Sequence, residues 1–338
     1  MNLLLEPLFC LLMLGLLLIF AMALTAPFET FRWWSGWAVE NADNDEIELA
    51  DPQPPSAASH FIVYLTAIGG ISATDISGRE KQFLERLQAK TPQAVIISDV
   101  FPFSVTNNPL NGERLMGWLW QKIHNSRLHG RAGIFAFLIF VRNLLQVGVS
   151  SDPRYGPLYN VGVAHEIVGS LLQHGYTIDS STPISVMGWS GGGQIAVGVA
   201  RYLHRSLGAP LNVISIGGVF ADDPGFAEIN HLLHLQGSKD SFPKVGQILY
   251  PGRWSFVRYS VYNQAVRDGR VTFINPGPMH HTGRNDYFDH KATLPDGQTF
   301  LDKTVEIIAT TITENASSSL FEQETRSPAP KLFEGNRH

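Results

Sequence analysis

The sequence predicts an α/β protein: a mostly parallel, doubly wound sheet preceded by one N-terminal transmembrane helix. Three observations predict it. Between residues 60 and 313, short continuous apolar runs alternate with segments of helical period. That is the pattern of strands covered on both faces by crossover helices. One of those runs passes through Gly188-Trp189-Ser190-Gly191-Gly192 directly into a helix-like stretch of small residues. Finally, residues 7–24 are apolar throughout, close to the ~20 residues that a helical span needs.

The N-terminal run reads as an uncleaved anchor. A cleaved signal peptide with an Ala21-Met22-Ala23 site is the competing reading. Against it, the residues before the run carry Glu6 and no Lys or Arg, and the run exceeds the usual apolar region of a signal. Trp33, Trp34 and Trp37 follow as an interfacial aromatic flank, so residues 1–37 form the anchor. Arg32 is the only nearby basic residue and weakly favours a cytoplasmic C-terminal side, leaving the side of the membrane open. Residues 38–59 are acidic (Asp43, Asp45, Glu46, Glu48, Asp51) and then proline-rich (Pro52, Pro54, Pro55), which reads as a solvated tether.

The domain proper is expected over 60–313. Its strands are Phe61–Leu65, Ala94–Ile97, Ile184–Met187, Leu211–Ile216, Leu232–Leu235 and Val271–Ile274. Helices are expected over Arg79–Leu87, around Leu115, Leu119 and Ile123, over Val161–Leu172, and from Gly193 to about Leu207. An insert at about 105–156 contains the apolar run 132–141, too short to span a bilayer and interrupted by Arg142. It reads as a buried core helix, a lid over an apolar site, or a helix dipping into a membrane. Residues 314–338 are polar and are expected to be disordered; the Asn315-Ala316-Ser317 sequon matters only on a glycosylated side of a membrane.

Composition removes several function classes. The 338 residues carry a formal net charge of -5 and no Lys/Arg-rich run, which argues against a nucleic-acid partner. The single cysteine, Cys10, excludes intrachain disulfides and cysteine metal sites. No H-E-x-x-H occurs, so no metal is expected. Gly191-Gly192-Gly193 opens a helix but lacks the lysine of a phosphate loop, so no cofactor is implied.

Ser190 sits where a strand turns sharply into a helix, with glycines two before and two after it. Such a turn exposes a serine hydroxyl at the sheet edge. A serine needs a base to take its proton and an acid to orient the base. The base candidate is His281, just past the last strand and before a helix-like Asp286-Tyr287-Phe288; His280 is the alternative. The acid candidate is Asp240, in the turn after the fifth strand; Asp222 and Asp223, after the fourth, are the alternatives. An oxyanion hole needs two backbone N–H donors. Gly191 would supply one, and Ile68 or Gly69, after the first strand, the other.

These motifs resemble the α/β-hydrolase superfamily over residues 60–312, in a reduced form whose first strand corresponds to the family's third. The chain departs from the family's pattern in lacking an H-G-G-G oxyanion motif, in its long excursion from Phe101 to Tyr155, and in showing no cap between Ile216 and Leu232. The resemblance implies a serine esterase or lipase-like enzyme acting on an acyl substrate, membrane-held here by its N-terminal helix. The alternative is a non-catalytic membrane protein that binds a ligand or partner on a hydrolase fold.

Overall fold

The computed structural model describes residues 56–105, 107, 133–178 and 180–326, together with a few positions between Cys10 and Ala21. Apart from those positions and residues 56–59, the predicted anchor and tether lie outside the described residues, as does the helix expected around 115–123. Among the described residues, no helix is long and apolar enough to cross a membrane.

All six expected strands form: β1 (His60–Leu65), β2 (Ala94–Ile97), β3 (Ile184–Trp189), β4 (Leu211–Ile216), β5 (His231–Leu235) and β6 (Val271–Ile274). They make one sheet in the order β2-β1-β3-β4-β5-β6, and every neighbouring pair is parallel. Parallel pairing requires crossovers; the β4–β5 connection carries only the short 3-10 turn Pro224–Ala227, while α-helices fill the other connections and follow β6. The helices are α1 (Gly78–Lys90), α2 (Gly133–Ser151), α3 (Gly156–Gln173), α4 (Gly192–Leu207), α5 (Phe242–Leu249), α6 (Val261–Arg267) and α7 (Phe300–Arg326).

The four central strands are buried on both faces, while the edge strand β6 exposes Thr272 and Phe273, and the two-residue alternation of β1 divides its side chains between two cores. Phe61, Val63 and Leu65 pack with Val163, Ile167 and Leu171 of α3 and Ile195, Val199 and Leu203 of α4. Ile62 and Tyr64 face the other way, toward Phe83 and Leu87 of α1 and Leu301, Val305 and Ile308 of α7. A capping box fixes the start of α1: the Ser77 hydroxyl accepts from the Glu80 N–H, and the Glu80 carboxylate accepts from the Ser77 N–H.

Three expectations change. The tail read as disordered from 314 is helical as far as Arg326. Residues 314–326 contain no Gly or Pro, and the first breaker is Pro328. Asp286-Tyr287-Phe288 does not start a helix. Gly283 and Asn285 stand at φ +86° and +62°, and the Asp286 side chain accepts from the Phe288 N–H, which closes a tight turn instead. From Gly133 on, the apolar run is the first part of the longer helix α2, and that helix is partly inverted. Its polar residues Arg142, Asn143, Gln146 and Ser150 are buried beside Ile139 and Val147, while Phe137, Phe140 and Leu144 are exposed.

Candidate active site

The turn from β3 into α4 leaves little choice of residue. Ser190 is held at φ +56°, a left-handed conformation rare for a residue with a Cβ. The strain is fixed by the backbone: the Ser190 N–H donates to the Ile216 carbonyl at 3.0 Å, and the Ser190 carbonyl accepts from the N–H groups of Gly193 and Val219. The flanking glycines are steric necessities. A methyl at Gly188 would fall inside the Gly192 backbone, and one at Gly192 would stand 2.6 Å from the Leu65 carbonyl oxygen.

The chain's other candidates reach this turn from the carboxyl ends of β5 and β6. Ser190 Oγ and His281 Nε2 are 2.8 Å apart. His281 Nδ1 lies 3.1 and 3.0 Å from the two carboxylate oxygens of Asp240. With Nδ1–H donating to Asp240, Nε2 is left to accept from the Ser190 hydroxyl. All three side chains are withdrawn from solvent, at 5% exposure for Ser190, 9% for His281 and 1% for Asp240.

Asp240 is held by more than the imidazole. Its Oδ1 accepts from the Phe242 N–H at 2.9 Å, and its Oδ2 accepts from the Tyr287 hydroxyl at 2.7 Å. That hydroxyl in turn accepts from the Gly237 N–H at 2.8 Å. Burial, and then the Asp240 charge, push the Tyr287 phenol far above its usual range, so it stays a donor. The Ser238 N–H donates to the Gly277 carbonyl and joins the two loops. The ring of Phe242 stacks on His281 with centroids 4.2 Å apart and planes 13° from parallel. Tyr287 was not singled out as a site residue from the sequence; its position in the turn after His281 is the only signal it offers.

The rival candidates are engaged elsewhere. Asp222 accepts from the Tyr262 N–H at 2.8 Å. Asp223 caps the turn Pro224–Ala227 through the Gly225 N–H and accepts from the Gln194 amide. Burial raises its carboxyl pKa. The His280 backbone pairs with Asn285 and Asp286, and no hydrogen bond joins its side chain to Ser190 or Asp240.

The loop after β1 abuts the serine turn. A methyl at Gly191 would lie 2.6 Å from Ile68 Cγ2 and 2.8 Å from Val147 Cγ2, with Phe103 next. Among the described residues, neither the Gly191 N–H nor the Ile68 N–H has an acceptor. Two side chains fix this loop. Thr66 donates to the buried Glu80 carboxylate at 2.5 Å. Asn143 of α2 donates through Nδ2 to the carbonyls of Ile68 (2.9 Å) and Gly70 (2.8 Å). Arg142 in turn donates to Asn143 Oδ1 at 2.9 Å and to the Phe103 carbonyl at 2.8 Å. Asn143 carries no sequence signal, because its partners stand some seventy positions away. Among the described residues, no three His, Cys, Asp or Glu side chains converge as a metal site.

No family model matches the chain, and no curated relative does. Solved structures similar to it share little sequence. A dienelactone hydrolase-like promiscuous phosphotriesterase from metagenomic libraries is 13% identical, with 77% of this chain and 87% of that one covered and a TM-score of 0.41. An esterase from the archaeon Pyrobaculum calidifontis is 14% identical, with 78% and 79% covered and a TM-score of 0.40. A dienelactone hydrolase from Anabaena variabilis is 13% identical, with 77% and 88% covered and a TM-score of 0.36.

Proposed function

We propose that this α/β-hydrolase fold is a membrane-anchored serine hydrolase that cleaves an acyl ester. The observation that carries the reading is the continuous hydrogen-bonded chain from Ser190 through His281 to Asp240. In such a chain Ser190 Oγ attacks the ester carbonyl carbon while His281 Nε2 takes its proton. Asp240 keeps the imidazole in the tautomer with Nδ1–H and offsets the positive charge that develops. The carbonyl oxygen becomes an oxyanion facing the N–H groups of Gly191 and Ile68 or Gly69. His281 then protonates the departing alcohol. Water, deprotonated by the same imidazole, attacks the acyl-enzyme and releases the acid and Ser190.

Ile68, Val147 and Phe103 converge on Gly191, next to the nucleophile, and favour an apolar acyl group there. Membrane attachment rests on the apolar run 7–24. The test is labelling of the full chain in detergent by a fluorophosphonate, with the modified residue located by mass spectrometry. Labelling at Ser190 that is lost in Ser190→Ala and in His281→Ala is the expected result. A folded chain that stays unlabelled at Ser190 would remove the reading.

A further inference from the structure

The inverted helix α2 and the excursion between β5 and β6 present solvent with the kind of surface a soluble domain normally hides. The exposed side of α2 carries Phe137, Phe140 and Leu144, spaced along one stripe, and no charged side chain. In the second excursion, α5 exposes Val245, Ile248 and Leu249, with Ile248 at 73%. The loop beyond α5 exposes Phe256 at 75% and Tyr259 at 92%. These side chains are not on a frayed segment. The Trp254 indole donates to the Gln247 carbonyl, and the Asn263 amide donates to the carbonyls of Gly252, Trp254 and Val257.

The helices that carry both stripes also touch the candidate active site. α2 sets Val147 against Gly191 beside the serine, and α5 begins with Phe242 stacked on His281. They are tied to each other where the Tyr250 hydroxyl donates to Ser151 Oγ at 3.1 Å.

The charge of the second excursion is one-sided. Residues 241–267 hold four basic residues, Lys244, Arg253, Arg258 and Arg267, and no acidic one, in a chain of net charge -5. Arg253 is buried, with its guanidinium over the Phe220 and Tyr262 rings, while Lys244, Arg258 and Arg267 are exposed. Exposed aromatic and aliphatic side chains interleaved with Lys and Arg match the headgroup region of an anionic bilayer, where apolar groups enter the acyl boundary and cations meet phosphate.

We propose that the apolar, cationic collar formed by α2 and residues 242–259 docks the mouth of the Ser190 site onto an anionic lipid surface, from which the ester substrate is taken. This rests on the reading of Ser190 as an esterase nucleophile. Two other occupants fit the charges less well. A second copy would bring Lys244 and Arg258 against their own equivalents. Residues 114–131 of this chain carry only positive charges: Arg114, Lys122, Arg127 and Arg131. The tether allows the pose. His60 starts β1 at the sheet edge opposite the site, yet about 35 residues separate it from the apolar run, with a contour of roughly 120 Å.

The test uses the full chain with Cys10→Ser and one new cysteine carrying an environment-sensitive fluorophore. The cysteine is Ile248→Cys on the collar or Lys90→Cys at the opposite sheet edge. Each chain is reconstituted in phosphatidylcholine vesicles with and without phosphatidylserine, with a nitroxide lipid as quencher. The expected result is a blue-shifted, lipid-quenched signal at position 248 that requires phosphatidylserine, and a solvent-like signal at position 90. Lys244→Glu with Arg258→Glu should weaken docking by roughly five-fold for each positive charge removed. Equal signals at 248 and 90, or quenching at 248 indifferent to anionic lipid, would overturn the proposal. So would a dry signal at 248 without vesicles, as when the acidic residues 40–51 cover it, or a cross-linked dimer through position 248. Fluorophosphonate labelling of the same samples in detergent is an independent readout. Docking without labelling removes only the catalytic reading, and labelling without docking removes only this one.

Discussion

Asn143→Ala tests whether the insert helix builds the oxyanion hole. The wild-type amide makes three buried hydrogen bonds: two donated to the Ile68 and Gly70 carbonyls and one accepted from Arg142. At about 1 kcal/mol net for each, their loss costs about 3 kcal/mol. For a domain of this size that lowers Tm by about 6–12 °C. The same loss frees the segment whose N–H groups would face the developing oxyanion in the proposed reaction. Removing one such donor outright costs about 10²–10³ in kcat. A loop that is loosened but still present should lose less, about ten-fold or more. The assay is the rate of Ser190 phosphonylation by a fluorophosphonate, well below the variant's Tm and across pH. Ser190, His281 and Asp240 are untouched, so the rate should fall at every pH while the midpoint of its pH profile stays in place. Asn143→Asp keeps the Arg142 partner but sets a carboxylate against two carbonyls, and should lose at least as much. A folded Asn143→Ala chain that is phosphonylated at the wild-type rate would refute the reasoning, and a moved midpoint would place the residue's effect on the triad instead.

Four further outcomes are expected. Ser190→Gly relieves a φ of +56° that costs a side-chain-bearing residue ~1–2 kcal/mol, so thermal unfolding should show a gain of about 1 kcal/mol together with complete loss of labelling. Tyr287→Phe removes a donor to a buried carboxylate and orphans the Gly237 N–H. Denaturant unfolding should show a cost of about 3 kcal/mol, and kcat for an ester should drop with KM little changed. Asp240→Asn should lower kcat by about 10⁴, while Asp223→Asn should leave it near wild type; the reverse order would move the acid to β4. Burial pushes Glu166 from an ordinary 4.5 up to about 7, so the folded chain holds a proton there that the unfolded chain releases as pH rises past that ordinary value. Its contribution therefore becomes unfavourable as pH rises through that window. Glu166→Gln should raise Tm at about pH 8 and leave it unchanged at about pH 4, by less than the ~3 kcal/mol of the full shift because the group is partly solvated.

What was legible in the sequence had a local cause. The strands read as short, mostly apolar runs because the central ones are covered on both faces, and the serine turn is legible because it joins such a run directly to a helical one and because a side chain at Gly188 would clash with Gly192 only four residues on. Asp240 and His281 can be named as candidates from their places after β5 and β6, the loops that a parallel sheet gathers at one edge. Asn143, Tyr287 and Glu80 cannot, because each owes its role to a partner in another element. Helix α2 defeated the hydrophobic pattern for a stronger reason. Its buried side is chosen by carbonyls that need donors, so Arg142 and Asn143 point in and the phenylalanines are left outside. A rule that apolar means buried orients that helix backwards.

The choice of acid follows from where donors stand. Two carboxylates, Asp223 after β4 and Asp240 after β5, are buried near the carboxyl edge of the sheet. Asp223 spends its oxygens on the Gly225 N–H and the Gln194 amide, and burial dominates its environment, which favours its neutral form. Such a group holds a turn together but does little for an imidazolium. Asp240 faces a phenol and a backbone N–H that both donate to it, leaving its remaining lone pairs to His281. Those donors fix the carboxylate in place, and a fixed acceptor is what Nδ1–H needs while Nε2 carries the serine's proton. In the proposed reaction the acid would thus be selected by Tyr287 and by the turn that opens α5. The same turn lays Phe242 on the imidazole and begins the cationic half of the collar, so Asp240, which would orient the base, and the basic residues that would meet a lipid surface belong to one excursion between β5 and β6.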